Sequence, residues 1–171
     1  MTTHAQHLAA NELSAATGHH LTDRLPLPVV KLKPRAQLPE YKSAEAAGMD
    51  LSACLDEGEV ITLGSLDRRL VPTGLALAIP VGFEGQVRPR SGWALKEGVT
   101  LLNSPGTIDS DYRGEVGVIV VNLSTQPVHI RHGDRIAQLV IAPVSRVMPV
   151  SVEQLDETQR GAGGFGHTGR R

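Results

Sequence analysis

Asn103-Ser-Pro-Gly-Thr-Ile-Asp-Ser-Asp-Tyr-Arg-Gly-Glu115 sets turn formers, two aspartates, a carboxamide and a phenol directly before a run of strand formers, Val116 to Asn122. Pro105-Gly106 marks a turn and Arg113-Gly114 leads into the strand, so the stretch predicts a β-hairpin. Backbone N–H and C=O groups exposed beside an aspartate and a tyrosine can read the edge of a flat heterocycle. They can also hold a water for attack. The combination points to a small-molecule enzyme working on a nucleotide.

The same pattern continues outward in both directions. Short β-segments separated by Gly, Pro and Asp are expected at residues 29–32, 60–63, 69–71, 84–88, 99–102, 116–122, 128–130, 136–141 and 144–152. Leu75, Leu77 and Ile79 alternate with Ala76 and Ala78, which suits a strand buried on both faces. One short helix is expected, with Ser91 as N-cap, Gly92 to Glu97 as its body and Gly98 as its end. Many short strands with almost no helical periodicity predict an all-β sandwich, jelly roll or barrel. Residues 1–27 read as an N-terminal extension, 28–155 as the β-domain, and 156–171 as a mobile glycine-rich arm.

Composition narrows the function. With 171 residues the chain can bury a substantial core, and that core must be aliphatic because only Tyr41, Phe83, Trp93, Tyr112 and Phe165 are aromatic. A net charge of −1 argues against a broad electrostatic grip on nucleic acid or anionic membrane. The single Cys54 cannot form an internal disulfide, and a reducing cytoplasm is the expected compartment. The N-terminal stretch has no apolar run suited to a signal peptide or a membrane span. His4, His7, His19 and His20 gather there without a Cys, Asp or Glu to complete a plausible metal-ligand set.

Several side chains carry chemistry with more than one reading. Arg90-Ser91-Gly92 can offer a forked cation, a hydroxyl and helix-terminal N–H groups to phosphate, or it can be ordinary surface. Asp109 and Asp111 point the same way if the chain is extended, unless a turn separates them. One could deprotonate a water, or both could cap a loop. Tyr112 either packs on the core or faces a ligand. Asp50, between Met49 and Leu51, needs a cationic or N–H partner whether it is structural or catalytic. Gln138 interrupts the apolar strand and either faces outward or aims its amide into a cleft. Glu115 is read as structural. The tail could bring Phe165 over a base and Arg160 to a terminal phosphate, although composition alone favours a terminus with no function.

Five blocks taken together resemble the trimeric deoxyuridine triphosphate nucleotidohydrolases, the dUTPases, in that family's order. They are Ala47-Gly-Met-Asp-Leu51, Arg88-Pro-Arg-Ser-Gly92, Asn103 through Glu115, Gly133-Asp-Arg-Ile-Ala-Gln138 and Arg160-Gly-Ala-Gly-Gly-Phe-Gly166. They cover the chain from about Pro28 onward. The resemblance implies a jelly-roll subunit in a homotrimer, with active sites shared between chains. It implies hydrolysis of dUTP to dUMP and pyrophosphate, which keeps uracil out of DNA and supplies dUMP for thymidylate synthesis.

By the same likeness, Asp109 would activate the attacking water, and Arg90, Ser91, Gly92 and Gln138 would bind phosphate. Asp50 would belong to the polar network around phosphates and metal-bound water. Mg²⁺ would be held by the triphosphate and solvent, with no direct protein ligand. Asn103 and the backbone of Gly106, Thr107 and Ile108 would read uracil. Tyr112 would pack beneath the deoxyribose, Phe165 would stack on the base and Arg160 would meet the γ-phosphate.

Two departures stand out. The tail reads Gly166-His167-Thr168 where many relatives carry serine, and Trp93 stands where an aliphatic residue is usual, packed either on the core or at an interface. The nearest rival is dCTP deaminase, which shares the fold but lacks this Phe-containing tail. A non-catalytic dUTP-binding regulator is the other.

Overall fold

The computed structural model describes residues 25–164. Ten strands and one helix follow one another as β1 (Val29–Lys31), β2 (Met49–Ser52), β3 (Val60–Leu63), β4 (Arg68–Leu77), β5 (Phe83–Arg88), α1 (Ser91–Glu97), β6 (Val99–Leu101), β7 (Gly106–Ile108), β8 (Glu115–Asn122), β9 (Val128–Arg131) and β10 (Arg135–Pro143). They form two four-stranded sheets, ordered β1-β4-β8-β6 and β2-β10-β5-β7, and a β3–β9 pair. Every pairing is antiparallel. Neighbours in each sheet are distant in sequence, as in a jelly roll.

Alternation in the sequence decides which face of each strand is buried. In β8, Val116, Val118 and Val120 point inward while Glu115, Gly117 and Ile119 do not. Leu51, Leu63, Val71, Leu75, Val118, Val120, Ile130, Ile136 and Leu139 form the centre of the core, each 1% exposed or less. The core is aliphatic, as composition requires; Phe83 and Trp93 pack only against its margin. Burying each such side chain contributes about 1.5–3 kcal/mol.

The fully buried polar side chain of Asn122 is extensively partnered. Asn122, 0% exposed, donates to the carbonyls of Leu63, Gly64 and Gln126 and accepts from the Ser124 N–H and hydroxyl. It ties β8 to the end of β3 and to the turn before β9. Gly74 has φ +68°, and a Cβ there would lie 2.9 Å from Ala36 Cβ and Cys54 Sγ. The sequence can only place glycine at that bulge in β4.

Three sequence-based expectations give way. The predicted hairpin over 103–115 is instead an excursion between sheets: β7 pairs with β5, whereas β8 pairs with β4 and β6. Buried Gly106 and Ile108 draw the segment onto the second sheet, and β6 already occupies the edge of β8. Residues 144–152 form no strand; Pro149 removes an N–H donor there, and Val144, Val147, Met148, Val150 and Val152 are exposed. Ser91 is the first helical residue rather than the cap. Arg90 occupies the cap position without a side-chain capping bond, while Gly98 closes the helix at φ 67° as expected.

Candidate active site

Asp50 is the centre of a polar cluster of Arg90, Arg135 and Gln138. Its strand, β2, is the edge of the second sheet, and its backbone N–H donates to the Glu40 carbonyl. The carboxylate is 7% exposed. Its Oδ2 accepts from the Arg135 guanidinium at 2.8 Å, and its Oδ1 accepts from Gln138 Nε2 at 3.3 Å. Arg90 Nε stands 3.6 Å from Oδ1, and the same arginine donates through NH1 to the Arg135 carbonyl at 2.9 Å. The partner that Asp50 demanded is therefore Arg135, to which the sequence assigned no role. The available signal was the demand itself: a carboxylate between apolar neighbours requires a cationic or N–H partner, and Arg135 lies in the same block as Gln138.

Sheet register brings this cluster together. Gln138 of β10 stands opposite Asp50 on β2 and opposite Arg88 on β5. Gln138 is thus aimed at the site rather than outward. Arg88 itself is held by Gln86 Oε1. Beside the cluster lies a cavity of about 360 Å³ lined by Arg90, Trp93, Glu97, His129, Gly133, Asp134 and Arg135. Trp93 rests on the core margin and donates from its indole to Glu97 at 3.2 Å, so it forms a wall of that cavity. Ser91 and Gly92, both exposed, follow Arg90 at the start of α1.

The second group of candidates lies around β7 and the turn after it. Asn103 folds its amide over Gly106, where a Cβ would come within 3.0 Å of Nδ2. Thr107 is exposed between buried Gly106 and Ile108. A turn separates Asp109 from Asp111, closed by the Tyr112 N–H donating to the Asp109 carbonyl at 3.1 Å. Arg113 donates to the carbonyls of Ser110 and Tyr112 and stiffens the turn. Tyr112 is half-exposed, its hydroxyl donating to the Glu115 carbonyl at 3.0 Å and its ring lying across Gly114. It lines a second cavity of about 330 Å³ with Leu70, Pro72, Glu115, Gly117 and Ile119. Glu115 accepts the Gly74 N–H at 2.7 Å, which is the structural role read from the sequence.

The two groups are separated within one chain. Gly85 stands opposite Ile108, so Asp109 would face Glu84, four residues along β5 from Arg88, and β7 is three strand positions from β2. At about 3.3 Å per residue and about 4.8 Å per strand, Asp109 and Asp50 are roughly 20 Å apart. Arg160 is exposed and bonds only locally, to the Gly163 carbonyl. Phe165, His167 and the N-terminal histidines lie outside the described residues.

No three His, Cys, Asp or Glu side chains gather into a metal cage among the described residues. Both Asp50 oxygens already face donors. What the cluster suits is an anion, and a divalent ion would fit as one carried on that anion. No described helix is long and apolar enough to cross a membrane.

Comparison with known proteins gives the chain's family and its structural relatives. Residues 34–169 match the dUTPase family. The chain is 62% identical over 141 residues to the deoxyuridine 5'-triphosphate nucleotidohydrolase of Syntrophotalea carbinolica, covering 82% of this chain and 95% of that relative. A mutant dUTPase of Staphylococcus bacteriophage 80alpha, solved with dUpNHpp, superposes with TM-score 0.76 at 26% identity, covering 85% of this chain and 99% of that one. A dUTPase mutant of phage phi11 of S. aureus, whose structure describes coordination of a structural Mg(II) ion, gives TM-score 0.69 at 24% identity over 78% of this chain and 100% of that one.

Proposed function

The chain belongs to the dUTPase family, and on that premise we propose how its residues divide the hydrolysis of dUTP. The enzyme is a dUTP diphosphatase that converts dUTP and water to dUMP and pyrophosphate. Asp109 takes a proton from a water whose oxygen attacks the α-phosphorus. The bond from that phosphorus to the bridging oxygen breaks, and pyrophosphate leaves with the electron pair. Arg90, Ser91, Gly92 and Gln138 hold phosphate oxygens as charge moves toward the leaving group, with Asp50 ordering the arginine and amide that meet them. The triphosphate would carry Mg²⁺, which would neutralise part of its charge without a protein cage.

Uracil is read by Asn103 and the backbone of Gly106, Thr107 and Ile108. Cytosine inverts that donor–acceptor pattern, and leaving buried groups unpaired discriminates by about 10⁴-fold. Tyr112, braced by Glu115 and Gly114, lies against the sugar and leaves no room for a 2′-hydroxyl. Arg160 and Phe165, in an arm from residue 156 onward, close the site. Residues 28–155 form the catalytic domain, which works in the cytoplasm; residues 1–27 precede it as an extension.

One observation carries this reading: the base-reading turn and the phosphate cluster are roughly 20 Å apart in a single chain. The water-activating carboxylate and the groups that hold the phosphates work on one nucleotide, and pairing one copy's turn with another copy's cluster brings them together. A homotrimer with three shared sites provides that pairing. The exposed apolar residues Val147, Met148, Val150, Val152 and Leu155 support association, because a monomer rarely leaves such a run in water.

A nucleotide panel tests the function. With Mg²⁺ present, dUTP is expected to release pyrophosphate and dCTP to be left intact. Ammonia from dCTP would indicate the deaminase chemistry, and tight dUTP binding without turnover a regulator.

A further inference from the structure

We propose that Arg135 is a positioning residue for this site, delivered to it by a β-bulge, and that it acts through Asp50. The inference rests on the reading that Asp50 and Arg90 serve dUTP hydrolysis.

A bulge at Ile136 makes the contact possible. Along β10, Arg135 stands opposite Ser52, Ala137 opposite Leu51, and Gln138 opposite Asp50. Ile136 is the extra residue, and the normal alternation breaks there: Ile136 and Ala137 are both 0% exposed. In a regular strand, side chains three positions apart point to opposite faces. Arg135 and Gln138 would then lie on different sides of the sheet. The inserted residue restores them to one face, the face of Ser52 and Asp50. Both consequently reach the same carboxylate, at 2.8 and 3.3 Å.

The contact does more than neutralise a charge. Asp50 is nearly buried, so a guanidinium on Oδ2 and an amide on Oδ1 fix its rotamer as well as satisfy it. The Arg135 carbonyl, set by the same bulge, accepts from Arg90 NH1 at 2.9 Å and anchors the guanidinium assigned to phosphate. One residue thus aligns two members of the cluster. Arg135 is itself half-exposed beside the cavity that Arg90 lines. Removing its side chain leaves the fold's core untouched but frees Asp50 to turn.

The test measures kcat, KM for dUTP and melting temperature for Arg135→Met, Arg135→Lys, Asp50→Asn and the Asp50→Asn/Arg135→Met double variant. Arg135→Met is expected to lower kcat about 10- to 100-fold while KM stays within about threefold. Arg135→Lys, which can still reach Oδ2, is expected to regain a large part of that loss, and it keeps the test informative should the methionine variant fold poorly. The double variant should be no slower than Asp50→Asn alone, because the two residues act as a unit.

Multiplying losses in the double variant would overturn the proposal. So would a raised KM at normal kcat, which is the mark of a direct phosphate contact, or, in Arg135→Lys, a rate loss matched by loss of folded protein. Normal constants for Asp50→Asn would sink the underlying site assignment as well. A slow Asp50→Asn with a normal Arg135→Met would sink this inference alone.

Discussion

Asp109 stands just past the last residue of β7, exposed, in a turn closed by its own carbonyl. Its carboxylate makes no contact on which the fold depends. Asp109→Asn should therefore leave the melting temperature unchanged and lower kcat about 10²- to 10⁴-fold, the range of a lost general base. Affinity for a non-hydrolysable dUTP analogue should stay near that of the unaltered enzyme. Lost binding with a normal residual rate would contradict the role. Asp50 differs in kind, because it is buried and held by Arg135, Gln138 and Arg90. Its need for a cationic or N–H partner was legible from its apolar neighbours. Which arginine answered was not, since the answer depends on how β2 pairs with β10.

At the scale of elements, the turn that carries Tyr112 is held by local contacts. The hydroxyl binds the Glu115 carbonyl, Arg113 binds two carbonyls, and the ring covers Gly114 so closely that a Cβ would strike it. Gly114→Ala should displace Tyr112 while leaving the aliphatic core intact. The expected result is weaker discrimination between dUTP and UTP, by about tenfold, with only a small fall in Tm. Unchanged discrimination would mean that the ring does not shape the sugar pocket.

Strands such as β8 and β10 and the C-terminal glycine of α1 could be read from alternation and turn chemistry, which are local. The pairing of β7 could not. Three residues with one exposed threonine fit a hairpin with β8 or a crossing to β5 equally well, and only the occupied edge of β8 decides between them. The bulge at Ile136 was hidden for a related reason. Two consecutive buried residues in an apolar strand look like a strand buried on both faces. The strand expected at 144–152 has suitable β-formers but no neighbour within the described residues to pair with.

At the scale of the whole molecule, the chain presents the Asp109 turn and the Asp50 cluster on separate parts of one sheet, and a run of exposed apolar residues beyond β10. Both features are accounted for if copies associate so that one copy's Asp109 turn meets another's Asp50 cluster. Complementation between inactive variants tests this most directly. Asp109→Asn and Arg90→Ala proteins are dissociated, mixed in equal amounts and reassociated, and dUTP hydrolysis is measured. Sites shared between neighbours predict recovery of about a quarter of the unaltered activity, because one site in four pairs an intact turn with an intact cluster. A mixture as inactive as its two parents would contradict the account.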